Sequence, residues 1–566
     1  MTASPESKAV SIAVLLLAIP ALAGLVATLL PAFGVAPGFG AYGPDLAPWR
    51  RLLAEPGLPR ALLSGTGAGL ASTILAVLAA HFILAHLHLS GRLVRLAHGI
   101  APLLALPHAV FAIGFAFLVQ PSGLLLRLIS PWATGFEQPP DWRFPGDPWT
   151  ISLTLGLALR ETPFLLLAGL AVLARMPTAT YLAVARSLGH QWGRAWLAVV
   201  LPPLQRALRL PALAVLAYGC SAVDMALVLG PSTPPTLAVL VARLAVEPAP
   251  ELRHAAAAGA VLQLLAILLA AAVFLFLERL LLRLVARRSR SSRRGKGEGR
   301  VWASGVAMTI VPGTGLLVLS QLLLWSLAGS WRFPALLPDA LTFEHWRRAS
   351  PQLVPAATTS LLLALPVAAV AVAAAVPLLR RRDATGHYGR LPAASALLWL
   401  PLVLPQLAFL PGFQFLALVC GIDGTLTAVA LAHFVFVLPY VLLVAAGPFA
   451  AMPDRYGEVA RLLGSRPIGA FLRAEAPLLL RPLAVAFAVG ASVSMALYLP
   501  TLLLGGGRVA TLSTETIAFT LSGDRRLAAA TGLLFAVLPG LLFLVPFLFG
   551  APGGKARRAA HRPRSL

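Results

Sequence analysis

A segment that occurs twice constrains this chain more than any other feature. Ala185-Arg186-Ser187-Leu188-Gly189 is followed, after twelve residues, by Pro202 and then Leu204, Arg206 and Leu208. Ala460-Arg461-Leu462-Leu463-Gly464 is followed at the same spacing by Pro477, Leu479, Arg481 and Leu483, so each position returns 275 residues later. A Met-Pro pair precedes both copies, Met176-Pro177 and Met452-Pro453, with a one-residue slip. A polar segment punctuated by Gly and Pro, doubled between apolar stretches, points to a duplicated membrane module.

Composition supports the membrane setting. The chain is 58% hydrophobic, its mean hydropathy is +0.83 and only 12% of its residues are charged, against ~25% in soluble domains. A water-soluble fold could not hide that much apolar surface, so most of it faces lipid or other helices. Twelve apolar stretches lie near 9–31, 60–86, 97–119, 149–174, 208–229, 254–279, 305–329, 354–379, 393–419, 424–447, 480–503 and 527–550. Each is about long enough to cross a ~30 Å hydrocarbon core. The first, behind a short start with one Lys, is too long for a signal-peptide core. The expected fold is therefore all-α and polytopic, with two parallel six-helix modules at 1–285 and 305–550, a basic linker at 286–304 and a basic tail at 551–566.

The 45 Lys and Arg against 21 Asp and Glu would suit a nucleic-acid partner by sign. They cluster instead in alternate loops, and no nucleic-acid motif accompanies them. Arg92 and Arg95 follow span 2; Arg175, Arg186, Arg194, Arg206 and Arg209 follow span 4; Arg287, Arg288, Arg290, Arg293, Arg294, Lys296 and Arg300 follow span 6. Arg380, Arg381 and Arg382 follow span 8, and Lys555, Arg557, Arg558, Arg562 and Arg564 form the tail. Because cytoplasmic loops hold Lys and Arg, both termini and both copies of the repeat are expected inside. A repeat of odd span number would have put the copies on opposite sides.

Each copy reads as a short amphipathic helix, a glycine break and a second helix near a proline. Gly189 and Gly464 permit a turn or a close backbone approach. Pro202 and Pro477 suit a first helical turn, where a missing N–H costs nothing. The result is an elbow along the cytoplasmic face, either a docking element or a plain interfacial helix.

These residues resemble the loop of binding-protein-dependent ABC importer permeases: Glu-Ala-Ala, three residues, Gly, nine residues, an aliphatic residue, one residue, Leu-Pro. In the second copy Glu458-Val459-Ala460 precedes Gly464, Ala474 takes the aliphatic place and Ala476-Pro477 closes the pattern. In the first, Ala183-Val184-Ala185 precedes Gly189, Val199 is the aliphatic residue and Leu201-Pro202 closes it. The acidic residue is thus present as Glu458 and replaced by Ala183. The fused arrangement resembles ferric-iron and thiamine permeases. Ala105-Leu106-Pro107-His108, Leu159-Arg160-Glu161-Thr162-Pro163-Phe164, Val223-Asp224-Met225-Ala226-Leu227-Val228-Leu229-Gly230 and Pro234-Pro235-Thr236-Leu237-Ala238-Val239 look most like the YnjC type. The resemblance implies a transport subunit of the bacterial inner membrane. Its elbows would be coupling helices seated on two ATPase subunits, and an external solute-binding protein would deliver a small solute for import. No Gly-x-x-x-x-Gly-Lys-Ser/Thr segment is present, since Gly295-Lys296 lacks the upstream Gly and the Ser/Thr. ATP with Mg is therefore expected on the partner, and no cofactor, metal or catalytic residue on this chain. The alternative is an ion-gradient-driven secondary transporter with two six-span halves, which leaves the doubled elbow unexplained.

Ionisable residues inside the spans are the pathway candidates, because such groups are costly in lipid unless paired or wet. Arg160 and Glu161 fall within span 4, Asp224 deep in span 5 and His433 in span 10. Aligning Pro163 with Pro439 sets Phe436 and Val437 against Arg160 and Glu161, and local similarity sets Ser494 against Asp224. Two readings stay open: Arg160 pairs with Glu161 or Asp224 as a structural lock, or Glu161 and Asp224 line a path for a cationic solute. His433 reads as a core histidine or a transport residue. His81, His86 and His88 read as interfacial, and Cys220 and Cys420 as buried packing residues. Pro107, Pro163, Pro405 and Pro439 are expected to kink their spans.

Overall fold

A computed structural model describes residues 20–36, 43–89, 106–290, 302–380, 401, 404–453 and 455–548. The described residues are mostly helical, joined by turns and loops, with an isolated β-bridge between Ala328 and Leu341. The first half runs α1 (Pro20–Ala32), α2 (Leu58–Leu89), α3 (His108–Val119), α4 (Ile151–Leu173), α5 (Thr178–Ser187), α6 (Trp192–Ser221), α7 (Asp224–Leu229), α8 (Leu237–Val246) and α9 (Pro250–Arg290). The second repeats the order: α10 (Trp302–Leu327), α11 (Glu344–Arg380), α12 (Leu410–Val419), α13 (Leu426–Ala450), α14 (Arg455–Leu462), α15 (Ile468–Ala496), α16 (Leu499–Gly505), α17 (Leu512–Leu521) and α18 (Arg525–Leu542).

Nine helices among the described residues are long and apolar enough to cross a membrane. The expected spans 1, 3 and 9, and the last two residues of span 12, extend into residues outside the described ones, as do most of the linker and the whole tail; α9 carries the helix through the linker's first residues to Arg290. Pro163 and Pro439 do lie inside α4 and α13. Pro107 and Pro405 instead stand just before helical turns, in extended backbone. Cys220 is buried, but Cys420 is exposed, because α12 ends at Val419 and the chain turns out through Gly421 at φ +69°. The short helices α8 and α17, the second opened by a capping box at Thr511, occupy what the hydropathy pattern leaves as loops.

Within each half, the second, fourth and sixth helices pack together: α2 with α4 and α6, α11 with α13 and α15. Small residues allow the contact, as where Gly69 leaves room for the Cys220 backbone and Gly490 for Val441 and Val437. Each half also reaches into the other. At Gly24 of α1 an added Cβ would strike the Phe409 carbonyl, Gly412 N–H donates to Thr28 Oγ1 at 2.9 Å, and at Gly114 of α3 a Cβ would meet Val318 of α10. The first helix of each half therefore lies against the third element of the opposite half.

Candidate functional site

The doubled segment folds twice into the same object. Helix α5 ends at Gly189 (φ +86°) and α14 ends at Gly464 (φ +83°), a left-handed backbone that strains any L side chain. His190 N–H donates to the Ala185 carbonyl at 3.1 Å and Gly189 N–H to that of Arg186 at 2.9 Å; Ser465 to Ala460 (3.0 Å) and Gly464 to Arg461 (2.9 Å) repeat the pattern. This is a Schellman cap, which satisfies carbonyls that the helix end leaves orphaned. Nothing lies within 4 Å of where a Cβ would sit on either glycine, so the turn, not a close approach, demands Gly.

Beyond the turn the chain re-enters helix at Trp192 and Pro467, then widens into a π turn at Trp196–Val200 and Phe471–Glu475. Leu201 N–H reaches back to the Trp196 carbonyl, as Ala476 does to Phe471. Pro202 and Pro477 follow at once, at the first turn of an α-helical stretch as expected, but within a continuous helical run. The widened turn accommodates the proline, which has no N–H to give.

The same register exposes the same side chains. Tyr181, Val184 and Leu188 are 40, 56 and 74% exposed, and Tyr456, Val459 and Leu463, each 275 residues on, are 38, 53 and 80% exposed. Ala183 and Glu458 are exposed at matching places, while Ala185 is buried and Ala460 half-buried. Beneath the two patches the supports differ. Under the first, Leu182 and Val200 are buried, and the His88 ring lies 5.3 Å from that of Trp196. Under the second the matching residues are Gly457 and Glu475; Arg380 sits 4.6 Å over the Phe471 ring and bonds the buried Glu475 carboxylate at 3.3 Å.

The intramembrane charges form a second constellation. Glu161 Oε1 bonds His108 Nε2 at 2.9 Å, and Arg160 donates to the Leu106 carbonyl at 2.8 Å. Asp224 does not lie within a continuous span. Helix α6 stops at Ser221, Ala222 is extended (φ −62°, ψ 117°), and Asp224 opens α7, accepting from Tyr218 Oη at 3.1 Å. The His108 and Tyr218 rings are 4.5 Å apart, which links the Glu161 and Asp224 groups. The hydrogen bonds to these two carboxylates come from His108 and Tyr218, with Arg160 next to Glu161 in the chain. His433, 1% exposed, is held between Ser494 Oγ (2.9 Å) and Thr501 Oγ1 (3.0 Å), a satisfied core histidine. His81 is likewise buried, 2.6 Å from Gln205 Oε1, and is not interfacial.

The repeat register also corrects one pairing. The break at Leu497 (φ −72°, ψ 102°) matches that at Ala222, and Gly230 and Thr236 recur as Gly505 and Thr511, all 275 residues on. Asp224 therefore answers to Leu499, and Ser494 to Gly219.

No family model matches the chain. It is 31% identical over 515 residues, 91% of its length, to the Inner membrane ABC transporter permease protein YnjC of Escherichia coli (strain K12), of which 92% is covered. The chain belongs to the ABC transporter permeases, of the YnjC type. A permease of this family is a transport subunit in the inner membrane, and an ABC permease implies ATPase partners. Sequence reasoning passed over Tyr181 and Tyr456 and took Val184, Leu188, Val459 and Leu463 only as parts of the motif, not as an exposed face. Their identity at the same offset, Tyr181 with Tyr456 and Val184 with Val459, was the available signal. His108 as the partner of Glu161 had no local signal, because helix rotation sets that contact.

Proposed function

We propose that this permease is the membrane subunit of an importer in which two ATPase subunits seat on the two elbows. An external solute-binding protein delivers a small solute, and both termini are cytoplasmic. The observation that supports this reading best is the doubled exposed face: Tyr181, Val184 and Leu188 at one elbow, and Tyr456, Val459 and Leu463 at the other. Exposed aromatic and aliphatic side chains on a rigid elbow suit insertion into a partner cleft. Nucleotide-driven movement of the ATPases would turn α5 and α14, and the rigid π-turn junctions would carry that motion into α6 and α15. Rocking of the halves then switches access. The doubled face favours this over an ion-gradient mechanism, which requires no docking element.

The test is co-purification of the tagged permease with ABC ATPase subunits from its own host membranes, with uptake measured in the same cells. Leu188→Asp with Leu463→Asp places charge on both exposed faces without touching the core. Loss of the ATPase and of uptake, with normal membrane yield, is expected. Retention of both would overturn the assignment of the elbows.

A further inference from the structure

We infer that the seam between α1, α9 and α12 is a binding site for a phospholipid whose head carries both a phosphate and a primary amine. Its acyl chain would lie along α1 and its head between Arg253 and Asp423.

Two hollows meet at this seam. One is an apolar groove of about 520 Å³ between α1 and α12, walled by Leu22, Val26, Leu30, Phe415 and Leu416. That volume is within the range of sites that enclose a small organic ligand. The other is a polar pocket of about 60 Å³, and the two share Ala27, Pro31 and Phe415 as a common wall. A water-sized group needs about 10–15 Å³ of such space, so the pocket takes about four, enough for the charged atoms of a head but not for a tail. Both halves contribute to it: Arg253 and His254 from α9, Gln414 from α12, and Asp423 from the turn that follows α12. Pro250 begins α9 at the end away from the basic linker, which puts the head at that face of the membrane. The groove follows the flank of α1, where Leu22, Val26 and Leu30 are 40, 53 and 45% exposed.

The fold does not use up the polar groups of the pocket. Thr28 is engaged, donating to the Gly24 carbonyl and accepting from Gly412 N–H, both at 2.9 Å. Arg253 spends only Nε, on the Glu247 carbonyl at 2.6 Å, and among the described residues no carboxylate pairs with it. Asp423 Oδ1 is buried and makes no hydrogen bond, while Oδ2 lies 3.9 Å from Nη2 of the exposed Arg508, the outer limit of an ion pair. Glu247 and Glu251 add two exposed carboxylates beside the start of α9. With Arg253 and Arg508 set against Asp423, Glu247 and Glu251, neither sign dominates. A lone anion or a lone cation would leave one wall unanswered, whereas a phosphate on Arg253 and an ammonium on Asp423 answer both.

The matching seam across the repeat shows that packing does not require these groups. Pro107 and Gly114 recur as Pro405 and Gly412, 298 residues on, and Pro250 opens α9 as Arg525, 275 residues on, opens α18. In those registers Ala528, Ala529 and Ala116 stand where Arg253, His254 and Gln414 do, and the Phe117 ring packs 5.6 Å from that of Trp325. One seam is filled by aromatic side chains; the other is hollow and polar.

Native mass spectrometry of the full-length, delipidated permease in detergent reads the site. The probes are phosphatidylethanolamine and phosphatidylglycerol with the same acyl chains, and free phosphoethanolamine. Phosphatidylethanolamine should bind about tenfold more tightly than phosphatidylglycerol, the worth of one charge-assisted hydrogen bond. Asp423→Asn should erase that preference. Arg253→Gln should weaken both lipids about tenfold, as should Ala27→Phe, which fills the shared wall and touches no charge. Equal affinity for the two lipids, a preference that survives Asp423→Asn, or unchanged binding in Ala27→Phe would each overturn the site. So would free phosphoethanolamine binding as tightly as the lipid, the mark of a soluble ligand. The thermal midpoint of each variant without lipid separates lost binding from lost folding; where Arg253→Gln lowers it, Asp423→Asn and Ala27→Phe decide.

Discussion

A side chain at Gly457 would displace the Glu475 carboxylate, which lies where its Cβ would go. The first copy solves the same contact with Leu182 and Val200, both buried. The second elbow therefore rests on a buried ion pair where the first rests on aliphatic packing. Arg380→Met should cost about 3 kcal/mol, because it strands a buried acid. Adding Glu475→Val, the residue the first copy uses, should recover most of the loss. Thermal midpoints of the detergent-solubilised permease would register both changes. Gly457→Leu alone should cost about 1–3 kcal/mol by overpacking, and much less in a Glu475→Val background. The sequence showed that the copies differ at Ala183 and Glu458, and both residues prove to be exposed. It did not show the difference beneath them. Glu475 pairs with Arg380 across 95 residues, and only the packing of α11 on the π turn joins them.

At the scale of elements, the elbow was legible and the junction was not. The glycine, the proline and their spacing are local chemistry, and the structure returns a Schellman turn at both copies. The π turns left no trace in composition, since one extra residue per turn changes no side-chain type. The break at Asp224 was hidden for a related reason: Ala222 and Val223 are as apolar as the helix before them, so hydropathy runs straight through. Gly189→Val or Gly464→Val should each cost about 1–2 kcal/mol from the left-handed backbone. Since nothing crowds either position, the loss should stay local. Limited proteolysis is expected to cut the substituted elbow faster while the membrane-embedded fragments keep their wild-type resistance.

For the molecule as a whole, the duplication was plain in the sequence, but the way the halves hold each other was not. Gly24, Gly114 and Gly412 sit in ordinary apolar runs, and only the close approach of backbones from the opposite half explains them. If a protease site is placed within 291–301 and the purified permease is cut there, the halves should stay together through size-exclusion chromatography. Gly412→Leu combined with Gly114→Leu should let them part. Two such grips, one on each side of the repeat, have a mechanical consequence. Pulling the halves straight apart must break both grips at once. The halves also touch between the grips, where α2 and α3 of the first meet α10 and α18 of the second. In the coupling proposed above, a push on either elbow would therefore act on halves that are anchored to each other at both ends.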